Sequence, residues 1–134
     1  MQTIFPILRS NDARAAIRWL CATFGFVELF SVPESGPVVR HAQLQLGTNV
    51  IMLGSARSDD SIESPQALGA ATQALYVWVD NVDAHFERAR KSGAIILEEP
   101  ADTEYGHRRY GAADPEGHEW YFAREIRRSR SKRK

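Results

Sequence analysis

Apolar and polar residues along this chain follow two periods, one of about 3.6 and one of 2, and the succession of the two occurs twice. Residues 3–9 are a short apolar run broken by Pro6, which has no N–H to give a ladder and so predicts an edge or crossover strand. In ARAAIRWLCATF, Ala13, Ile17, Leu20, Cys21 and Phe24 recur at helical spacing. Asn11 or Asp12 is placed to cap this helix and Gly25 to end it. Strands are predicted over 26–32, 38–46 and 50–53. The middle one alternates clearly, with Ala42, Leu44 and Leu46 on one face and His41, Gln43 and Gln45 on the other.

The same order then begins again. A strand over 73–79 places Leu75, Val77 and Val79 on one face and Tyr76 and Trp78 on the other. VDAHFERARKS reads as a helix capped by Asp80 or Asn81 and closed by Gly93, and a strand follows over 94–98. The stretch YGHRRYGAADPEGHEWYF supplies the last two strands, joined at Asp114-Pro115-Glu116-Gly117. Pro fits the second position of such a turn, Gly the fourth, and Asp can bond the turn backbone. Two βαβββ modules result, residues 1–55 and 73–123, an internal repeat of roughly seventy residues. The predicted fold is α+β, with the mixed sheets of the tandem modules forming a curved trough. Alternation places Phe5, Ile7, Gln43, Gln45, Val50, Met52, Tyr76, Trp78, Glu119 and Tyr121 on its concave face, and Leu75, Val77, Val79, Trp120 and Phe122 against the helices.

Residues 56–72 are polar, small and punctuated by Pro65 and Gly69, a linker or flap. Residues 124–134 carry seven Lys or Arg and one Glu, a charge of +6 that the ten basic and sixteen acidic residues elsewhere cancel. Such a tail is expected to be disordered, and with no aromatic residue between its charges it makes a poor nucleic-acid site. No apolar run approaches the roughly 18 residues of a membrane span, and MQTIFPILRS lacks the basic-then-apolar pattern of a secretory leader. Cys21 is the one cysteine, so no internal disulfide forms; a reducing cytoplasm is the expected compartment, with Cys21 an inert packed thiol.

Three segments, PILRSNDARAAIRWLCATFGF, ALYVWVDNVDAHFERARKSGA and YGHRRYGAADPEGHEWYF, resemble the vicinal oxygen chelate superfamily, which includes glyoxalase I, extradiol dioxygenases, and fosfomycin- and bleomycin-resistance proteins. The resemblance implies the glyoxalase/bleomycin-resistance fold, which hosts many chemistries. Metal-dependent members hold a divalent ion in the trough through His and Glu side chains. Those positions fall here on Phe5, Met52, Ala74 and Tyr121. A slip of one residue brings in Gln73 and a slip of two Glu119, but no single shift restores a full set. His118 and Glu119 are adjacent on a strand and point to opposite faces.

The closer match is the metal-free, bleomycin-resistance-like branch, through Pro6, Tyr76-Val77-Trp78 and Arg108. In such relatives two chains pair and build two troughs across a homodimer. Pro6 fits a strand crossover between chains and equally a plain edge strand. The implied function is binding of an apolar or aromatic small molecule without a cofactor, with sequestration of a toxic compound as its purpose. The expected ligand-binding residues are Phe5, Ile7, Gln43, Met52, Tyr76, Trp78, Arg109, Glu119 and Tyr121, unless the aromatics fill the trough themselves. The alternative is a metal-dependent lyase, glutathione or thiol transferase, or dioxygenase. A third class is a metal-independent isomerase or hydrolase with Glu119 as catalytic base and Arg109 or His107 as electrophile.

Overall fold

The structure, a computed structural model, describes residues 1–57 and 62–126. Its first module runs β1 (Ile7–Ser10), α1 (Ala13–Phe24), β2 (Val27–Val32), β3 (His41–Leu46) and β4 (Asn49–Ser55). After a short helix α2 (Pro65–Leu68), the second runs β5 (Ala74–Trp78), α3 (Val82–Lys91), β6 (Ile95–Asp102), β7 (His107–Ala113) and β8 (Glu119–Glu125). The sheet orders are β1-β4-β3-β2 and β5-β8-β7-β6. In each, the first and last strands of the module pair in parallel and the others antiparallel. This is the expected α+β pair of βαβββ modules.

The helices form where spacing and caps agree. Asp12 caps α1, its carboxylate accepting from the Ala15 N–H at 3.1 Å, and Ala13, Ala16, Ile17, Leu20 and Phe24 are buried. Asn81 caps α3 in the same way, through the Ala84 N–H at 3.0 Å. Strand limits differ from those read in the sequence. β1 begins at Ile7, because Pro6 has only its carbonyl to offer, which accepts the Met52 N–H at 2.9 Å. β3 begins at His41; Val39 before it is buried and bonds Ser55 instead, its N–H donating to Oγ at 2.9 Å. Within the expected linker lies α2, capped by the buried Ser64. Residues 58–61 of the linker and 127–134 of the basic tail lie outside the described residues, whereas Arg124 and Glu125 belong to β8.

The modules meet through their helix-covered faces. Phe24, at the end of α1, packs against Trp120 and Phe122 of the second sheet at ring distances of 5.4 and 4.7 Å. Phe26 meets Trp120 at 5.6 Å. These rings are almost wholly buried, and each contributes about 1.5–3 kcal/mol by burial. His85 of α3 donates from Nε2 to the Phe24 carbonyl at 2.9 Å, so its Nδ1 accepts from the Tyr110 hydroxyl. Burial holds this imidazole below its ordinary pKa, and therefore neutral. Arg88 donates to the carbonyls of Ala22 and Cys21. With the helices turned toward this shared core, the other face of each sheet is open.

Candidate functional site

The β7–β8 hairpin positions the second open face, and its turn is densely bonded. The Gly117 N–H donates to the Asp114 carbonyl at 2.9 Å, closing the expected turn. The buried Asp114 carboxylate accepts from the N–H groups of Glu116 and His118, from His118 Nδ1 and from Trp120 Nε1, all at 3.0–3.2 Å. His118 is thus a turn-building residue. Glu116, also buried, sends its carboxylate to the start of α1, where it accepts from the N–H groups of Asn11 and Asp12 at 2.7 and 2.9 Å.

From this anchored turn the strands carry their alternate residues onto the open face. Tyr76 of β5 stands opposite Tyr121 of β8, Tyr121 opposite Gly111 of β7, and Gly111 opposite Glu98 of β6. The Tyr76 and Tyr121 rings stack at 6.4 Å with 26° between planes. Tyr76 is hydrogen-bonded through its hydroxyl to His107 Nδ1 at 2.7 Å. Trp78 and Tyr105 meet the His107 ring edge-on at 4.9 and 5.0 Å. The Arg109 guanidinium lies over the Tyr121 ring, 4.6 Å from its centroid, and donates twice to the Glu98 carboxylate. Burial raises the pKa of both Tyr76 and Tyr121, with the Glu119 carboxylate adding to the latter, so the phenols stay protonated. Burial pulls Arg109 down, but its bonds to Glu98 outweigh this.

Of the residues expected to bind ligand, the structure gathers Tyr76, Trp78, Arg109, Glu119 and Tyr121 on this face. Ile7, Met52 and Gln43 form a row on the open face of the other sheet, continued by Phe30. Phe5 precedes β1 and is 38% exposed. The expected partnership of Glu119 with Arg109 or His107 does not form: Arg109 is held by Glu98, His107 by Tyr76, and Glu119 accepts weakly from the Tyr121 hydroxyl at 3.4 Å. Glu98 escaped the sequence reading because the register shifts between Ile96 and Glu98. That bulge turns Glu98 to the face that simple alternation gives to Leu97. A cavity of about 310 Å³ lies between β5 and the Phe26–Leu46–Ile51 corner; of the residues expected to bind ligand, Tyr76 and Trp78 line it.

The four positions to which the resemblance assigns metal ligands, Phe5, Met52, Ala74 and Tyr121, carry a phenyl, a thioether, a methyl and a phenol. This donor set does not fit a hard or borderline cation. Among the described residues, no three or more His, Cys, Asp or Glu side chains are grouped to hold one. The Cys21 thiol is pushed up by burial and then by Glu28, which disfavours the thiolate. No helix among the described residues is long and apolar enough to cross a membrane.

Comparison with known proteins places this geometry. The chain is 32% identical over 129 residues to an uncharacterized protein of Mycobacterium bovis, covering 91% of this chain and 82% of that protein. It is similar to the crystal structure of TioX from Micromonospora sp. ML1, at 32% identity and a TM-score of 0.76, over 94% of this chain and 100% of that one. It shares its fold with a glyoxalase/bleomycin resistance protein/dioxygenase family enzyme from Burkholderia phytofirmans PsJN, at 20% identity and a TM-score of 0.68, over 91% and 97% of the two chains. With the family model matching residues 3–122, the chain belongs to the Glyoxalase/Bleomycin resistance protein/Dioxygenase superfamily.

Proposed function

We propose that this protein binds a small apolar or aromatic molecule on the aromatic open face of its second sheet, without a metal, and sequesters it in the cytoplasm. The observation that carries this is Trp78, 59% exposed yet held in an ordered cluster with Tyr76, His107 and Tyr105. Large apolar surfaces left open on a folded domain mark interaction sites, and aromatic rings with a polar edge suit a flat ligand. On the first sheet Ile7 and Phe30 are also exposed, at 55% and 44%. A second copy of the chain would cover such a face, so the active form is a homodimer whose trough is completed between subunits.

The test is a thermal-shift screen of aromatic compounds with and without EDTA. A ligand at 100 times its Kd adds about 2.7 kcal/mol of stability. The expected result is saturable stabilisation that EDTA leaves unchanged and Trp78→Ala removes. Turnover of a hemithioacetal, epoxide or catechol that stops on chelation would instead support the metal-dependent lyase, transferase or dioxygenase alternative.

A further inference from the structure

The row Tyr76–Tyr121–Gly111–Glu98 contains one residue without a side chain, and the space it leaves is used. A Cβ on Gly111 would lie 2.7 Å from Tyr121 Cε1 and 3.1 Å from Glu98 Cγ, the first closer than Cβ contacts occur. The Tyr121 ring therefore lies close over the β7 backbone. Arg109, one row along the strand, lays its guanidinium over that ring, and Glu98 fixes the plane by taking Nε at 2.7 Å and Nη2 at 3.3 Å. One flat side of the guanidinium rests on Tyr121. Its central carbon also lies 5.8 Å from the centroid of the Tyr76 ring, and the side chain keeps 25% of its surface exposed.

We propose that Arg109 is a stacking platform that makes this face selective for planar, electron-rich aromatic molecules, neutral or weakly acidic, over saturated or cationic molecules of the same size. This rests on the open face being the ligand site. A guanidinium is planar and more weakly hydrated than an ammonium, so a ring replaces little water on it, and its charge attracts the electron-rich face of that ring. Glu98 balances the charge, so the ligand need not be an anion, whereas a cationic ring stacked there meets like charge. A structural role explains the arrangement poorly. A half-exposed ion pair contributes little to stability, and glycine inside a strand weakens it. The three residues together instead hold one flat cation in a fixed plane.

The experiment compares 2-naphthol with trans-decahydro-2-naphthol, a saturated molecule of the same skeleton, by titration calorimetry on the wild type, Arg109→Lys and Gly111→Ala. The lysine variant keeps the charge and can still reach Glu98 but has no plane. The alanine variant keeps Arg109 and displaces the ring beneath it. We expect the wild type to favour 2-naphthol by on the order of tenfold, with each variant losing most of that preference while binding of the saturated alcohol is unchanged. An intact preference in Arg109→Lys overturns the assignment and leaves the stacking to Tyr76 and Trp78. Equal binding of the two alcohols by the wild type overturns the selectivity but leaves an apolar ligand site standing. Binding of neither removes the ligand site and the platform with it.

Discussion

The buried carboxylate of Glu116 joins two parts of the chain 105 residues apart, and removing it tests how the modules are held in register. In an ordinary capping box the third residue of a helix reaches back to the N–H of the cap. In α1 that third residue is Ala15, and Glu116 does the work from the β7–β8 turn by accepting from Asn11 and Asp12. A hydrogen bond to a charged acceptor contributes about 1.5–3 kcal/mol net. Loss of a helix cap costs about 0.5–2 kcal/mol. Because Asn11 and Asp12 are themselves exposed, water can reach the freed N–H groups, and the low end of both ranges applies. Glu116→Ala should therefore cost about 2–4 kcal/mol, and Glu116→Gln, which keeps one accepting oxygen, roughly half that. For a chain of this length the Ala variant corresponds to a drop in Tm of roughly 6–15 °C. Urea unfolding followed by tryptophan fluorescence gives the energies. Amide exchange at Asn11 and Asp12 should accelerate beyond the global change. An Ala variant within about 0.5 kcal/mol of wild type, with exchange at those two amides unchanged, would refute this reasoning.

Three other contacts give measurable outcomes. His85 is neutral in the folded state with its pKa lowered chiefly by burial, so the unfolded chain takes up a proton near its ordinary value of about 6.5 that the folded chain refuses. Its contribution is present above that pH and lost as pH falls below it; urea midpoints between pH 7.5 and 5 should drop more steeply in wild type than in His85→Gln, and parallel slopes would contradict the assignment. Trp120→Phe removes the bond to Asp114 and part of a fully buried ring, so calorimetric unfolding should show a loss of about 2–4 kcal/mol, where a change under about 1 kcal/mol would show the site repacks freely. Trp78→Ala should leave stability within about 0.5 kcal/mol by the same assay while abolishing ligand-induced fluorescence change, since that ring is mostly exposed; a large loss of stability would mean it is a packing residue.

Local features of this fold were legible in the sequence because local physics fixes them. Asp12 and Asn81 precede helical periods, HAQLQL alternates over a half-buried strand, and the DPEG turn carries Pro and Gly where a tight turn takes them. The face assignments of Tyr76, Trp78 and Tyr121 follow from the same alternation. What escaped was set at long range or by a break in the period. The bulge at Leu97 turned Glu98 toward Arg109, and no residue type announces such a shift. The carboxylate of Glu116 reaches a helix start in the other module, so its partners are invisible in its own neighbourhood. Gly111 reads locally as a weak point in a strand; its use emerges only once Tyr121 is known to lie over it. The first-sheet and second-sheet candidates sit on separate open faces because Phe24, His85 and Arg88 bind the modules together through the opposite ones.

The claim that most needs a direct test is that ligands bind on the open face around Trp78 and Tyr121. Titration of ¹⁵N-labelled protein with 2-naphthol, followed by two-dimensional NMR, reads this residue by residue. Saturable shifts centred on the Trp78 indole N–H and the amides of Tyr76, Arg109 and Tyr121, with the buried Trp120 indole N–H still, are the predicted result. Shifts centred on Phe26, Leu46 and Ile51, which line the 310 Å³ cavity, with Arg109 and Tyr121 still, would contradict it.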